Sequence, residues 1–239
     1  ILRVRKSTDF GGSFAAAVDI ASDLNTTATN GSLALSGGLR TNSFPQVAVN
    51  PVSGHLYVAY NRVFGGQDTD IRVRRSTDGG ATWASAIDPG FSGSTDWSPS
   101  IAVASGSSQR IMVSWYQKPA GSTVGNVIDR LGTFVAGSTF AELASGDFKI
   151  TTAPFPIIIG QDPVINATYM GDYDQAAADS SFFYQTWGDN GGASPAHAKQ
   201  PDVRFSKFYV AGPAGTNVAA VLPLSRFYTL GSGTLPTAF

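Results

Sequence analysis

Short runs of alternating apolar and polar residues recur along this chain, and three kinds of run repeat in the same order. The first follows a Pro or an Asp: Phe44-Pro-Gln-Val-Ala-Val49, Ser98-Pro-Ser-Ile-Ala-Val103 and Gly171-Asp-Tyr-Asp-Gln-Ala176. The second ends on an aromatic: His55-Leu-Tyr-Val-Ala-Tyr60, Arg110-Ile-Met-Val-Ser-Trp115 and Ser181-Phe-Phe-Tyr-Gln-Thr-Trp187. The third opens on Asp or Asn: Asp70-Ile-Arg-Val, Asn126-Val-Ile-Asp and Asp202-Val-Arg-Phe. Period-two alternation rich in β-branched and aromatic residues predicts half-buried strands. Turn chemistry such as Asn50-Pro-Val-Ser-Gly54 separates the first run from the second. The repeating unit spans about residues 41–90, 95–145 and 168–215, and residues 1–20 supply the third and fourth strands of an earlier, partial unit. Residues 21–40 and 146–167 read as irregular connections.

A turn pattern occurs twice, each time after the same kind of strand. Ile1-Leu-Arg-Val-Arg-Lys runs into Ser7-Thr-Asp9-Phe-Gly11-Gly-Ser-Phe14, and Asp70-Ile-Arg-Val-Arg-Arg into Ser76-Thr-Asp78-Gly-Gly80-Ala-Thr-Trp83. Both fit Ser-x-Asp-x-Gly-x-x-Trp/Phe. The Ser and Asp side chains can accept hydrogen bonds from backbone N–H groups and lock a hairpin. Gly11 and Gly80 stand where positive φ is needed. Phe14 and Trp83 are expected to tuck a ring under the turn. This makes Ser7, Asp9, Gly11, Phe14, Ser76, Asp78, Gly80 and Trp83 scaffold, not catalytic groups. The basic alternation of Arg3, Arg5 and Lys6, and of Arg72, Arg74 and Arg75, is expected to decorate an exposed strand face. Tyr60, Trp115 and Trp187, at equivalent places, are expected to pack between units.

The pattern resembles the Asp-box of sialidase-like (BNR-repeat) β-propellers. Residue recurrence and resemblance together give the expected fold: all-β, a propeller of four-stranded antiparallel blades forming one partial domain over residues 1–239. About three and a half blades are visible, compatible with part of a six-bladed ring or, with the tail completing the first blade, a ring of four. In the unit over residues 95–145 (third counting the partial one) Thr133-Phe-Val-Ala-Gly137 replaces the box, and residues 190–200 form a Gly/Ala insertion in the last.

Composition narrows the partners. Sixteen basic residues face 17 acidic ones, for a net charge of −1, which argues against a nucleic-acid surface. The chain has no cysteine, which excludes disulfides and thiolate sites. No apolar run is long enough to predict a membrane-spanning helix. Glu142 is the sole glutamate, placed near an outer strand.

The resemblance implies an extracellular or cell-surface, glycan-directed role, and a catalytic set of three arginines, a Tyr–Glu pair and an Asp acid/base. That set is not legible here. Arg110 is followed by Ile111-Met112, not Ile-Pro, and neither Tyr169 nor Tyr173 has an identifiable Glu beside it. Without a base, a phenol near its ordinary pKa is a poor nucleophile. The expected function is therefore a secreted, non-catalytic propeller that binds glycans or partner proteins. The alternatives are a glycoside hydrolase of sialidase type completed by sequence outside this chain, and a structural protein that self-associates through an open blade edge.

The candidate ligand-binding residues are Asp172, Tyr173 and Tyr169, with Trp97 and Phe44 at equivalent blade starts. Carboxylates beside aromatics suit sugars, which stack on rings and hydrogen-bond through hydroxyls. No catalytic residue is assigned and no cofactor is required. A structural Ca²⁺ held by Asp68 and Asp70 is the weak metal candidate.

Overall fold

The computed structural model describes residues 1–23, 39, 41, 44–64, 68–89, 94–118, 127–144, 146–158, 170, 174–191 and 202–211. Every regular element among them is a strand, so the fold is all-β. No helix among the described residues is long and apolar enough to cross a membrane.

Four antiparallel sheets follow one another along the chain. The first pairs β1 (Leu2–Val4) with β2 (Val18–Ala21). The second is a meander of β3 (Gln46–Val49), β4 (Leu56–Phe64) and β5 (Asp68–Ser76), with Ala59 opposite both Gln46 and Val73. The third comprises β6 (Thr95–Val103), β7 (Ile111–Lys118) and β8 (Val127–Ala136). Three short strands, β9 (Ala141–Glu142), β10 (Phe148–Lys149) and β11 (Phe155–Pro156), pair with β8. The fourth is β12 (Gln175–Ala178), β13 (Phe182–Asp189) and β14 (Asp202–Tyr209). One parallel pair, Thr69 with Thr95, joins the second sheet to the third. Glu142 lies in β9, at the outer edge of its sheet.

Apolar layers between the sheets hold the stack together. Leu2, Val4, Ile20 and Ala21 of the first sheet pack with Val58 and Tyr60 of the second, joined by Trp83. Tyr57, Ala59, Ile71 and Val73 on the second sheet's other face meet Ile101, Val113, Trp115 and Leu131 of the third. The third sheet's far face, with Met112, Ile128 and Phe134, meets Phe183, Trp187 and Phe208 of the fourth. Tyr60, Trp115 and Trp187 each sit in one of these layers. The first strands β3, β6 and β12 neighbour one another, as the innermost strands of blades do around an axis. The described sheets form an open stack.

The two Ser-x-Asp turns close the same hydrogen bonds. The Gly11 amide donates to Ser7 Oγ (2.8 Å), and the Ser13 amide to Asp9 Oδ1 (2.9 Å). In the second turn Gly80 donates to Ser76 Oγ (2.8 Å) and Thr82 to Asp78 Oδ1 (2.9 Å). Gly11 and Gly80 have φ of 90° and 92°. These bonds stabilise the ionised carboxylates, so both pKa values fall below the ordinary 3.8, that of Asp9 to about 2, with the Ser13 and Thr82 hydroxyls as the largest cause. The ring positions differ: Trp83 packs into the core layer, whereas Phe14 is 57% exposed. The expectation that Phe14 tucks under its turn is corrected: its ring stands exposed and takes no part in the layer that holds Trp83. In an Asp78→Ala variant the Thr82 amide should lose hydrogen-exchange protection while Gly80 keeps its bond to Ser76. Unchanged exchange at Thr82 would refute the role given to Asp78.

Candidate functional site

Asp172, Tyr173 and Tyr169 lie outside the described residues, as does the side chain of Asp68. Of the rest of the candidate set, Phe44 precedes β3 and is 36% exposed. Trp97 is in β6 but only 2% exposed, its ring 5.7 Å from that of Tyr116. Trp97 is thus sealed by packing and offers no ring to a ligand here. Asp70 is buried and ion-paired with Arg62 at 3.1 Å, and a guanidinium at that distance opposes a cation there. Among the described residues no cluster of three His, Cys, Asp or Glu side chains is arranged to hold a metal.

The polar groups at the starts of β6 and β12 form two buried seams. The seam between the third and fourth sheets centres on Arg130 of β8, whose side chain is 0% exposed. Pro99 has no N–H and interrupts the β6 ladder between Trp97 and Ser100, with Ser98 at φ 48°. Arg130 Nη1 donates to the Ser98 carbonyl released by that bulge (3.1 Å). Its Nη2 donates to Ser100 Oγ (2.9 Å) and Ser114 Oγ (3.1 Å). The guanidinium lies 4.5 Å above the Tyr116 ring and 3.5 Å from Asp174 Oδ2. Tyr116 in turn donates to Asp174 Oδ1 (2.8 Å), and the Gly188 amide donates to Tyr116 Oη (2.9 Å). Ser114 donates to Gln185 Oε1 across the same seam (2.7 Å). Burial raises the pKa of Asp174 against the opposing pull of Arg130, and burial pushes the Tyr116 phenol well up.

The seam between the second and third sheets places two carboxyls side by side. The parallel pairing of Thr69 with Thr95 sets Asp70 next to Asp96, and Thr69 Oγ1 donates to the Asp96 carbonyl (2.5 Å). Asp96 is 0% exposed; Ser94 donates to its Oδ1 (3.0 Å), Gln117 also hydrogen-bonds its carboxyl, and among the described residues no cation pairs with it. Burial pushes its pKa up to about 8, so it is largely protonated at neutral pH. From Asp70 a charge chain runs outward through Arg62 and Asp88 to Arg72, which also pairs with Asp23 of the first sheet. Tyr60 donates to Asp23 (3.0 Å) and Arg74 to Tyr60 (3.4 Å). These contacts correct the expectation that Arg72, Arg74 and Arg75 merely decorate a surface. Arg72 ties the second sheet to the first, and Arg75 ties it to the third, stacking on Phe140 at 4.9 Å. At the outer side, Asp129 takes Lys149 at 2.7 Å and Thr151 at 2.8 Å.

Sequence reasoning passed over Arg130, Tyr116 and Asp96. The available signal was a charge inside an apolar strand: Asp129-Arg130 interrupts Val127-Ile128 and Leu131, and Asp96 stands directly before Trp97. A charge that the fold buries must have a partner prepared for it.

No protein-family model matches the chain, and no curated protein matches it. Solved structures resemble it remotely. A GH43_12 protein retrieved from a capybara gut metagenome is 12% identical with a TM-score of 0.46, over 79% of this chain and 31% of that one. The Penicillium chrysogenum α-L-arabinanase complexed with arabinobiose is 14% identical with a TM-score of 0.42, over 92% of this chain and 56% of that one. The GH93 α-L-arabinofuranosidase of Fusarium graminearum, also with arabinobiose, is 13% identical with a TM-score of 0.42, over 89% and 55%. The chain thus spans between 31% and 56% of the length of these three proteins. Likeness at this level assigns no activity to the chain.

Proposed function

We propose that this chain is a non-catalytic, extracellular glycan-binding propeller of the sialidase-like type, with its ligand at the end of the stack where β3, β6 and β12 begin. The supporting observation is the state of the described carboxylates there. Asp70 is held by Arg62, Asp174 by Tyr116 and Arg130, and Asp129 by Lys149 and Thr151, while Asp96 is fully enclosed. An acid or base must reach the proton it transfers, whereas these groups brace the scaffold. Asp174, next in sequence to Asp172 and Tyr173, is fixed by Tyr116 just before β12.

The test is a glycan-array and calorimetric comparison of the full chain with an Asp172→Ala/Tyr173→Ala double variant. Loss of a stacking ring and a charged acceptor should weaken binding about tenfold or more, with the circular dichroism unchanged. Binding should survive EDTA, because Asp70 of the weak metal candidate is already paired with Arg62. A folded double variant that binds as wild type would remove the assigned contacts.

The second reading, a glycoside hydrolase, is favoured by one feature: Asp70 and Asp96 are neighbouring carboxyls, and burial pushes the pKa of Asp96 up to about 8. Turnover of sialosides or arabinans that is lost in Asp96→Asn would establish that reading in place of the first.

A further inference from the structure

The dipeptide Asn-Gly occurs twice in the chain: at Asn30-Gly31, outside the described residues, and at Asn190-Gly191, directly after β13. This dipeptide carries its own chemistry. Glycine has no side chain to screen its amide nitrogen or restrict its backbone, so that nitrogen can reach the preceding side-chain amide. Having given its proton to hydroxide or a buffer base, the nitrogen attacks the asparagine Cγ. The N–Cγ bond forms as the Cγ–Nδ2 bond breaks, Nδ2 takes up a proton from water and leaves as ammonia, and a succinimide remains. Water then adds to either ring carbonyl and opens the ring to an aspartyl or isoaspartyl residue.

In Asn190-Gly191 both reacting groups are held by the fold. Asn190 is 1% exposed, and its Nδ2 donates across the seam between the third and fourth sheets to the Pro156 carbonyl of β11 (3.3 Å). The Gly191 amide donates to Asp189 Oδ1 (2.5 Å). A Cβ on residue 191 would lie 2.8 Å from that oxygen, so the glycine is what lets the carboxylate sit there. Arg204 of β14 braces Asp189 at 3.8 Å. The Asp189 contact opposes the reaction in two ways. It commits the N–H to another acceptor, and a carboxylate beside the nitrogen disfavours the amide anion that must form. Conversion would set a buried carboxylate against the Pro156 carbonyl, two acceptors with no proton between them.

We propose that Asn190-Gly191 is a self-modifying site gated by the seam between the third and fourth sheets. While the seam is closed, the fold protects the asparagine. When the fourth sheet lifts from β11, Asn190 converts, and its product cannot remake the contact with Pro156. The modification is one-way, and it turns a transient opening into a lasting loss of docking between the two sheets.

The test is peptide mapping by mass spectrometry of the full chain held in mildly alkaline buffer, both folded and in urea above its unfolding midpoint. Conversion at Asn190 should be at least about tenfold slower in the folded protein, because reaction there waits on opening. An Asp189→Ala variant with wild-type circular dichroism frees the Gly191 amide. It should convert roughly tenfold faster than wild type when folded, the factor that a hydrogen bond to a charged group commands, and at the wild-type rate in urea. In wild type at urea concentrations below the midpoint, conversion should rise in step with hydrogen exchange at the Gly191 amide. Asn190→Asp, which installs the product directly, should unfold at a lower urea midpoint, with an opening constant roughly tenfold larger. Equal rates in the folded and unfolded chain would overturn the proposal, as would conversion that stays flat while Gly191 exchange rises. An Asn190→Asp protein as stable as wild type would also overturn it, because the product would then reseat.

Discussion

Replacing Arg130 with Met should destabilise the fold by about 3–5 kcal/mol and lower the Tm on the order of 10 °C. The loss exceeds that of one hydrogen bond because Arg130 serves several groups that have no water to turn to. The Ser98 carbonyl, Ser100 and Ser114 would lose a donor, and Asp174 would lose the one cation it pairs with among the described residues while remaining buried. A carboxylate left alone in that environment costs several kcal/mol or takes up a proton. A double Arg130→Met/Asp174→Leu variant should recover much of the loss, because an apolar pair of similar volume removes the stranded charge. Tyr116 then keeps a partner in the Gly188 carbonyl at 3.0 Å. Chemical denaturation of the three proteins decides the matter. A single-variant loss of about 0.5 kcal/mol, typical of a surface site, would show that the network contributes little.

The strand order and the repeat were legible because they rest on local signals. Period-two alternation located β4, β7, β13 and β14 to within a few residues, and the Ser-x-Asp turns announced their own hydrogen bonds. The seams were not legible because they arise from register between sheets far apart in sequence. Nothing local says that Arg130 meets a carbonyl freed by Pro99, or that Asp96 settles beside Asp70. The same limit explains the misjudged rings. Phe14 and Trp83 occupy one motif position, yet Trp83 joins the layer between the first two sheets while Phe14 stays exposed. Trp97 reads as a mouth residue by its blade position, yet Tyr116 covers it from the neighbouring strand. Arg72 and Arg3 share a motif position, yet Arg72 reaches Asp23 and Asp88 whereas Arg3 pairs with Asp19 across its own hairpin.

An Asp96→Asn variant should match the wild type near pH 4 and become increasingly more stable than it towards pH 8. In the unfolded chain Asp96 titrates near its ordinary 3.8, whereas in the fold burial moves it to about 8. Between those values the folded state holds a proton that the unfolded state has released, so the stability contributed by the neutral acid is fully present below 3.8 and is lost as pH rises towards 8. Asn has no proton to lose and escapes that slope, so the difference between the two proteins should widen by about 1.4 kcal/mol per pH unit across the window. Asp147, which burial and Glu142 push up to about 6, adds a slope of the same sign to both proteins, and its charge is one of the causes that raise Asp96. The depressed Asp9 acts at the other end: its contribution is present above 3.8 and fades as pH falls towards 2, outside the window. Asn keeps the Ser94 contact, and Thr69 bonds the main chain, so the seam's geometry survives the change. Denaturant midpoints at half-unit intervals from pH 4 to 8.5 measure the effect. A wild type that instead gains on the variant above pH 6 would mean that ionised Asp96 is being compensated by a positive charge. The seam between the second and third sheets would then be a cation-binding or substrate-binding site, and the reading of these carboxyls as scaffold would fall.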